Sequence, residues 1–192
     1  MTKHTRYIPV MSATNVFHGR RYAESKGKPL NFMVTINWNL LSVSELKSTA
    51  THRDLRRRVA RAWKYEAEKH MSVLGTFDYV EVHENPNGIP NTHWVIRVPL
   101  DKRVWFKAKV EKFLLKLVGI SELPSKAVHY TDELYAAGQL FKYLCEGVSP
   151  AYADYFNLRH KDQGTVYGRR TGVSRSIGRT KRKNSGWVRR RR

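Results

Sequence analysis

The chain is poor in the residues that would place it in several large protein classes. Its 192 residues include one cysteine, Cys145. No internal disulfide can form, and a zinc ribbon or finger lacks the paired thiolates it needs. A lone thiol suits a reducing compartment, and a cytoplasmic location is expected. No apolar run reaches the roughly 18 residues of a membrane-spanning helix, and the first residues lack the apolar centre of a signal peptide, so no membrane partner is expected. No GxxxxGK[ST] phosphate loop occurs, and a helicase motor is therefore not expected within the chain. Acid is the remaining shortage: 16 Asp and Glu face 36 Lys and Arg, for a net charge of +20. Self-repulsion of that size is most easily relieved by a polyanion, and nucleic acid is the expected partner.

What is present is enough for a folded core, with 41% hydrophobic and 11% aromatic residues. Three regions differ in character. Residues 1–30 are basic and polar and read as an N-terminal arm or a short lead-in helix. Residues 31–158 carry the periodic segments. Residues 159–192 contain no acid after Asp162 and end in WVRRRR. This last stretch is expected to be a basic nucleic-acid-binding segment that stays disordered until it meets phosphate.

Within the middle region NFMVTINW alternates, with Phe32, Val34, Ile36 and Trp38 on one face and Met33, Thr35 and Asn37 on the other, which predicts a strand. Thr51 to His70 repeats Leu55, Val59, Trp63 and Ala67 every four residues and predicts an amphipathic helix with a basic outer surface. FDYVEVHE and NTHWVIRVP alternate on either side of ENPNGIP and predict an antiparallel hairpin. A helix follows from about Lys102 to Val118, with Trp105, Ala108, Phe113 and Leu117 as its core contacts. A short strand spans Ala127–Tyr130. A last helix is signalled by Thr131, Asp132 and Glu133 and runs to Gly147. The order β-α-β-β-α-β-α predicts an α+β fold: one antiparallel sheet with helices packed on one face.

The hairpin raises the chemical question. In NTHWVIRVP the apolar residues Trp94, Ile96 and Val98 share one face, leaving Asn91 and His93 on the other. Glu81, His83 and Glu84 lie within reach across the hairpin. A carboxylate, an imidazole and an amide oxygen around one point are suitable ligands for Mg²⁺ or Mn²⁺. Any of the three hairpin residues is open as the partner of His93, because a one-residue slip exchanges strand faces. On the last helix Tyr135, Gln139, Lys142, Tyr143 and Glu146 lie off the apolar stripe. A phenol with a pKa of about 10 is a weak nucleophile unless the phosphate it attacks is polarised.

PLNFMVTINW, YVEVHENPNGIPNTHWVIRVP, GQLFKYLCEGVSP and QGTVYGRRTGVSRSIG together resemble the Rep-type branch of the HUH endonuclease superfamily, whose members include replication initiators of bacterial plasmids and phages. The likeness spans roughly residues 29–180. It implies an HUH/Rep-like, ferredoxin-like sheet in a bacterial cytoplasmic protein. It also implies metal-dependent nicking of single-stranded or hairpin DNA through a 5′-phosphotyrosyl intermediate, in rolling-circle replication served by a host or element-encoded helicase. Carried over residue by residue, Tyr143 matches the nucleophile, His93 the second motif histidine and Glu84 the upstream carboxylate. Asn91 stands where the first motif histidine is expected, and Thr92 where the intervening hydrophobe is expected. Glu146 replaces the lysine of Tyr-x-x-Lys, leaving Lys142 as the nearest positive charge. These departures open the alternative of a catalytically degenerate Rep-like protein that binds DNA or RNA as a regulator or structural component.

In the C-terminal segment Arg169, Arg170, Arg175, Arg179, Lys181 and Arg182 lie among glycines and serines and are expected to contact phosphates, with Tyr167 stacking on unpaired bases.

Overall fold

The computed structural model describes residues 4–69, 74–134 and 137–188. In chain order these form β1 (His4–Thr5), α1 (Val10–Ser25), β2 (Phe32–Asn37), α2 (Glu45–Lys69), β3 (Tyr79–Glu84), β4 (Asn91–Ile96), α3 (Arg103–Val118), β5 (Val128–Thr131), α4 (Ala137–Leu144), β6 (Val166–Tyr167), β7 (Thr171–Val173) and α5 (Arg179–Asn184). Five strands make an antiparallel sheet in the order β5-β2-β4-β3-β7, and β1 pairs with β6 separately. The fold is α+β, as the element order predicts.

Period-two alternation determines what each sheet face carries. Phe32, Val34 and Ile36 of β2 and Trp94 and Ile96 of β4 point toward α2 and α3, where they meet Leu55, Val59, Trp63, Phe106, Val110 and Leu114. Trp94 is fully buried, its ring 5.9 Å from Phe106 and 5.7 Å from Phe77. Truncating an aromatic at such a site costs about 3–5 kcal/mol.

The opposite face is also covered, so the helices do not lie on one face only. Val80, Val82 and Val95 pack against Val16 and Tyr22 of α1 and Phe141 and Leu144 of α4. Residues 1–30, expected as a basic arm or short lead-in helix, hold the 16-residue α1, whose small residues let it sit close against the sheet. A Cβ added at Gly19 would lie 2.9 Å from Val173 Cγ1 of β7.

The C-terminal segment differs from the disordered tail expected from its charge. β7 joins the main sheet along β3, Ile177 and Val166 are buried, and α5 follows. Apolar residues spaced between the arginines are what anchor it. Residues 189–192 lie outside the described residues.

Smaller corrections concern the helices. α2 begins at Glu45 rather than Thr51, with an acid in its first turn, because Ser48, Thr49 and Thr51 mask a helical start. The buried stripe of α3 is Phe106, Val110 and Leu114. Trp105, Phe113 and Leu117 pack at its margin, while Ala108 is exposed. Thr131 belongs to β5, and Asp132 pairs with Lys107 at 2.7 Å rather than opening a helix. No described helix is long and apolar enough to cross a membrane.

Candidate active site

The β3–β4 register settles which hairpin residues meet. Glu84 stands opposite Asn91, Val82 opposite His93, and Val80 opposite Val95, all toward α1 and α4. Glu81 and His83 point the other way, beneath α2. Of the three candidate partners left open by the sequence, only Glu84 reaches His93: Nε2 of His93 lies 3.0 Å from Glu84 Oε1. Because a carboxylate only accepts, Nε2 carries the proton in this arrangement. The other ring nitrogen is 3.1 Å from Thr35 Oγ1, a hydroxyl that can donate or accept. Moving the proton to Nδ1, with Thr35 then accepting, would free Nε2 as a ligand, the arrangement outer-sphere partners of metal-binding histidines provide.

Tyr143 closes the site from α4. Its ring lies 5.8 Å from the His93 ring at 74°, edge to face. His93 is 7% exposed and Tyr143 41% exposed, so an imidazole held on both nitrogens sits beneath a phenol open to solvent. The phenol's pKa is raised, first by partial burial, then by the negative charges of Glu84 and Glu146. Tyr143 is therefore protonated at neutral pH. The carboxylate of Glu146, which stands where the motif lysine is expected, acts on the phenol from just beyond the end of α4.

Lys142 does not share Tyr143's face. One residue along a helix turns the side chain by about 100°, and Lys142 lines a groove toward α1 with Arg20 and Arg21. Asn91 donates Nδ2 to the carbonyl of Ile89 at 3.0 Å. Among the described residues no group of three or more His, Cys, Asp or Glu side chains is placed to hold a metal ion. His93 and Glu84 supply two good ligand groups, and Asn91, opposite Glu84 in register, carries an amide oxygen on the same face. That set suits a hard divalent ion held weakly.

The other face of the hairpin holds a buried network that the sequence did not reveal. His52 of α2 donates Nε2–H to Glu81 at 3.0 Å, and Arg56 donates to the same carboxylate. Burial alone would raise the pKa of Glu81. The hydrogen bond and charge of His52, with His83 and Arg56, instead hold it at about 2. Trp38 Nε1–H donates to Thr92 Oγ1 at 2.8 Å, and Thr92 donates in turn to His83 Nδ1 at 2.8 Å. Burial, then the charge of His52, pushes His83 down to about 3. Gly172 of β7 leaves room for the Glu81 carboxylate, which a Cβ there would strike. The sequence signal for His52 is its helical spacing, one turn before Leu55 and two before Val59.

The basic residues divide into two groups. Arg170 is 2% exposed and donates to the carbonyls of Arg6, of Gly164 at 2.8 Å and of Gln163 at 3.0 Å. Burial lowers its pKa to about 10, against the raising charges of Glu84 and Asp162. Arg182 is likewise buried and donates to the Ile177 carbonyl at 2.6 Å and to Asn15 Oδ1 at 2.8 Å. Neither guanidinium is available to phosphate, because its donors satisfy carbonyls the fold would otherwise strand. Arg169, Arg175, Arg179 and Lys181 are exposed. The charges of Arg169 and Arg175 act on Tyr79, which packs on the α2 side of the sheet, away from His93. Tyr167 is half-buried in β6, its carbonyl accepting from Thr49 and its ring 6.2 Å from His4.

No family model matches the chain, and no curated protein matches it. Twelve solved chains match. Among them is the catalytic domain of the adeno-associated virus type 5 Rep protein, 11% identical, with a TM-score of 0.43, covering 80% of this chain and 94% of that one. Likeness of this degree assigns no activity.

Proposed function

We propose that the chain is a metal-dependent single-stranded-DNA nickase of the Rep type, acting through a tyrosine nucleophile to begin replication of a plasmid or phage. One observation carries the reading: Tyr143 stands edge-on over His93, whose Nε2 meets Glu84. These three residues come from three separate elements and share one partly open face. Tyr143 Oη attacks the scissile phosphorus, its O–P bond forms as the bond to the 3′ oxygen breaks, and the proton lost by the phenol is balanced by one gained at the departing 3′-hydroxyl. His93, Glu84 and the Asn91 amide oxygen would hold Mg²⁺ or Mn²⁺, which when bound supplies charge to polarise the phosphate. Thr35 orients the imidazole. Glu84 and Glu146 keep the phenol protonated until substrate is in place, and buried Arg170 supplies positive charge near Glu84. In this reading a bacterial cytoplasmic protein nicks a single strand or hairpin and hands the opened end to a separate helicase.

The charge of Glu146 beside Tyr143 favours a second reading, a Rep-like protein that binds nucleic acid without cutting it. The two are separated by incubating the protein with a pool of single-stranded DNAs in Mn²⁺ or EDTA and following its melting temperature in parallel. The nickase reading expects cut strands and a Mn²⁺-dependent rise in melting temperature, both lost in His93→Ala. Tight binding with no cut strand, and no response to Mn²⁺ in either protein, supports the binder.

A further inference from the structure

On the α1 side of α4, which also carries Tyr143, the surface opens into a groove of about 610 Å³, a volume that suits a small ligand. Its lining combines two chemistries. Arg20, Arg21 and Lys142 bring positive charge, and the one lining acid, Glu24, is already held by Arg20 at 3.0 Å. The aromatic wall is Phe17 stacked on Phe156 at 5.5 Å, with Tyr155 edge-on to Phe156 at 4.9 Å and itself 70% exposed. Arg20 lies over the Phe141 ring at 5.6 Å, and its Nε is buried with no hydrogen-bond partner. An exposed ring with clustered cations is how proteins hold an unpaired nucleotide, the base stacking and the phosphate paired. A duplex presents no free base face to such a ring.

We propose that this groove seats a nucleotide of the single strand flanking the phosphate offered to Tyr143, its base on Tyr155 and its phosphate against Arg21 and Lys142. The placement rests on reading Tyr143 as the nucleophile: the groove and the phenol lie on adjoining faces of α4, which carries both Lys142 and Tyr143. Binding is tested in EDTA, where no cleavage is expected, by fluorescence anisotropy of a labelled oligo-dT strand and of a labelled duplex. Tyr155→Ala is expected to weaken oligo-dT binding roughly 5- to 150-fold, the range of base–aromatic stacking, and to leave duplex binding unchanged. Tyr155→Phe keeps the ring and is expected to retain oligo-dT binding. Lys142→Glu is expected to weaken oligo-dT binding and flatten its salt dependence. Wild-type oligo-dT affinity in both Tyr155→Ala and Lys142→Glu, or an equal loss for strand and duplex, overturns the proposal. If the groove variants behave as expected but the wild-type protein never cuts, the nickase reading fails and the groove stands.

Discussion

The two faces of the β3–β4 hairpin carry the same residue types and put them to different use. Toward α2, Glu81 and His83 are sealed in, one carboxylate pinned by His52 and Arg56 and one imidazole kept neutral by burial. Toward α4, Glu84 and His93 pair at 3.0 Å under a phenol that remains 41% exposed. A glutamate and a histidine therefore do not announce a reactive site. The cover decides: α2 and α3 bury the Glu81 and His83 side chains, while over His93 the α4 residue Tyr143 stays open to solvent. Buried and satisfied, the polar groups stabilise. Half-open beside a phenol, the same groups can meet a phosphate.

The largest expected effect lies on the sealed face. Glu81→Ala leaves His52 and Arg56 without their carboxylate and should cost about 3–5 kcal/mol in urea denaturation. A cost below about 1 kcal/mol would mean the network is not structural, and the contrast between faces would collapse. Arg170→Ala strands several buried carbonyls and should cost about 1–3 kcal/mol. Arg169→Ala, one residue earlier but exposed, should change stability by no more than about 0.5 kcal/mol. In DNA-binding titrations it should instead reduce the salt slope by about 0.7 to 0.9. Equal behaviour of the two arginines would contradict a buried structural role for Arg170 and an exposed one for Arg169.

Acid sharpens the same contrast. The folded values of His83 (about 3) and Glu81 (about 2) both lie below those of the unfolded chain, about 6.5 for His and 4.3 for Glu. The unfolded chain therefore takes up protons first. Their stabilisation is complete above about pH 6.5 and is lost as pH falls, through about 3 for His83 and about 2 for Glu81. Melting temperature should drop steadily from pH 7 to pH 3, and a flat profile would argue against the buried network. The smallest expected effect is on the open face. Glu146→Gln removes a charge that raises the Tyr143 pKa, so the pH profile of DNA cleavage should shift to lower pH, with cutting at neutral pH increased. An unmoved profile would mean Glu146 does not act on the phenol during reaction.

Much of this architecture is legible in the sequence because period-two and period-four patterns are strong wherever one face is apolar. β2, β4 and the centre of α2 follow from Phe32, Val34, Trp94, Leu55 and Val59. Tyr143, His93 and Glu84 were offered together only by the family resemblance, and the hairpin pattern by itself does not choose Glu84 over Glu81 and His83. That choice depends on strand face, which one residue of slip reverses. Arg170 and Arg182 depart from the expected phosphate contacts for a different reason. Net charge along a segment does not reveal which guanidiniums turn inward, and Arg170 finds its partners among the carbonyls of Arg6, Gln163 and Gly164, one of them far away in sequence. α1 was obscured by its weak patterning, since Gly19 and Ala23 pack by being small.

The most direct measurement is a covalent-adduct assay comparing the wild-type protein with Tyr143→Phe. Each is incubated with end-labelled single-stranded DNAs and Mn²⁺ and resolved on a denaturing gel. A labelled band at the size of the protein, present for wild type and absent for Tyr143→Phe, is the predicted result, with peptide mapping placing the nucleotide on Tyr143. Cleavage that persists in Tyr143→Phe, or an adduct mapped to another residue, would contradict the assignment of the open hairpin face as the reactive centre.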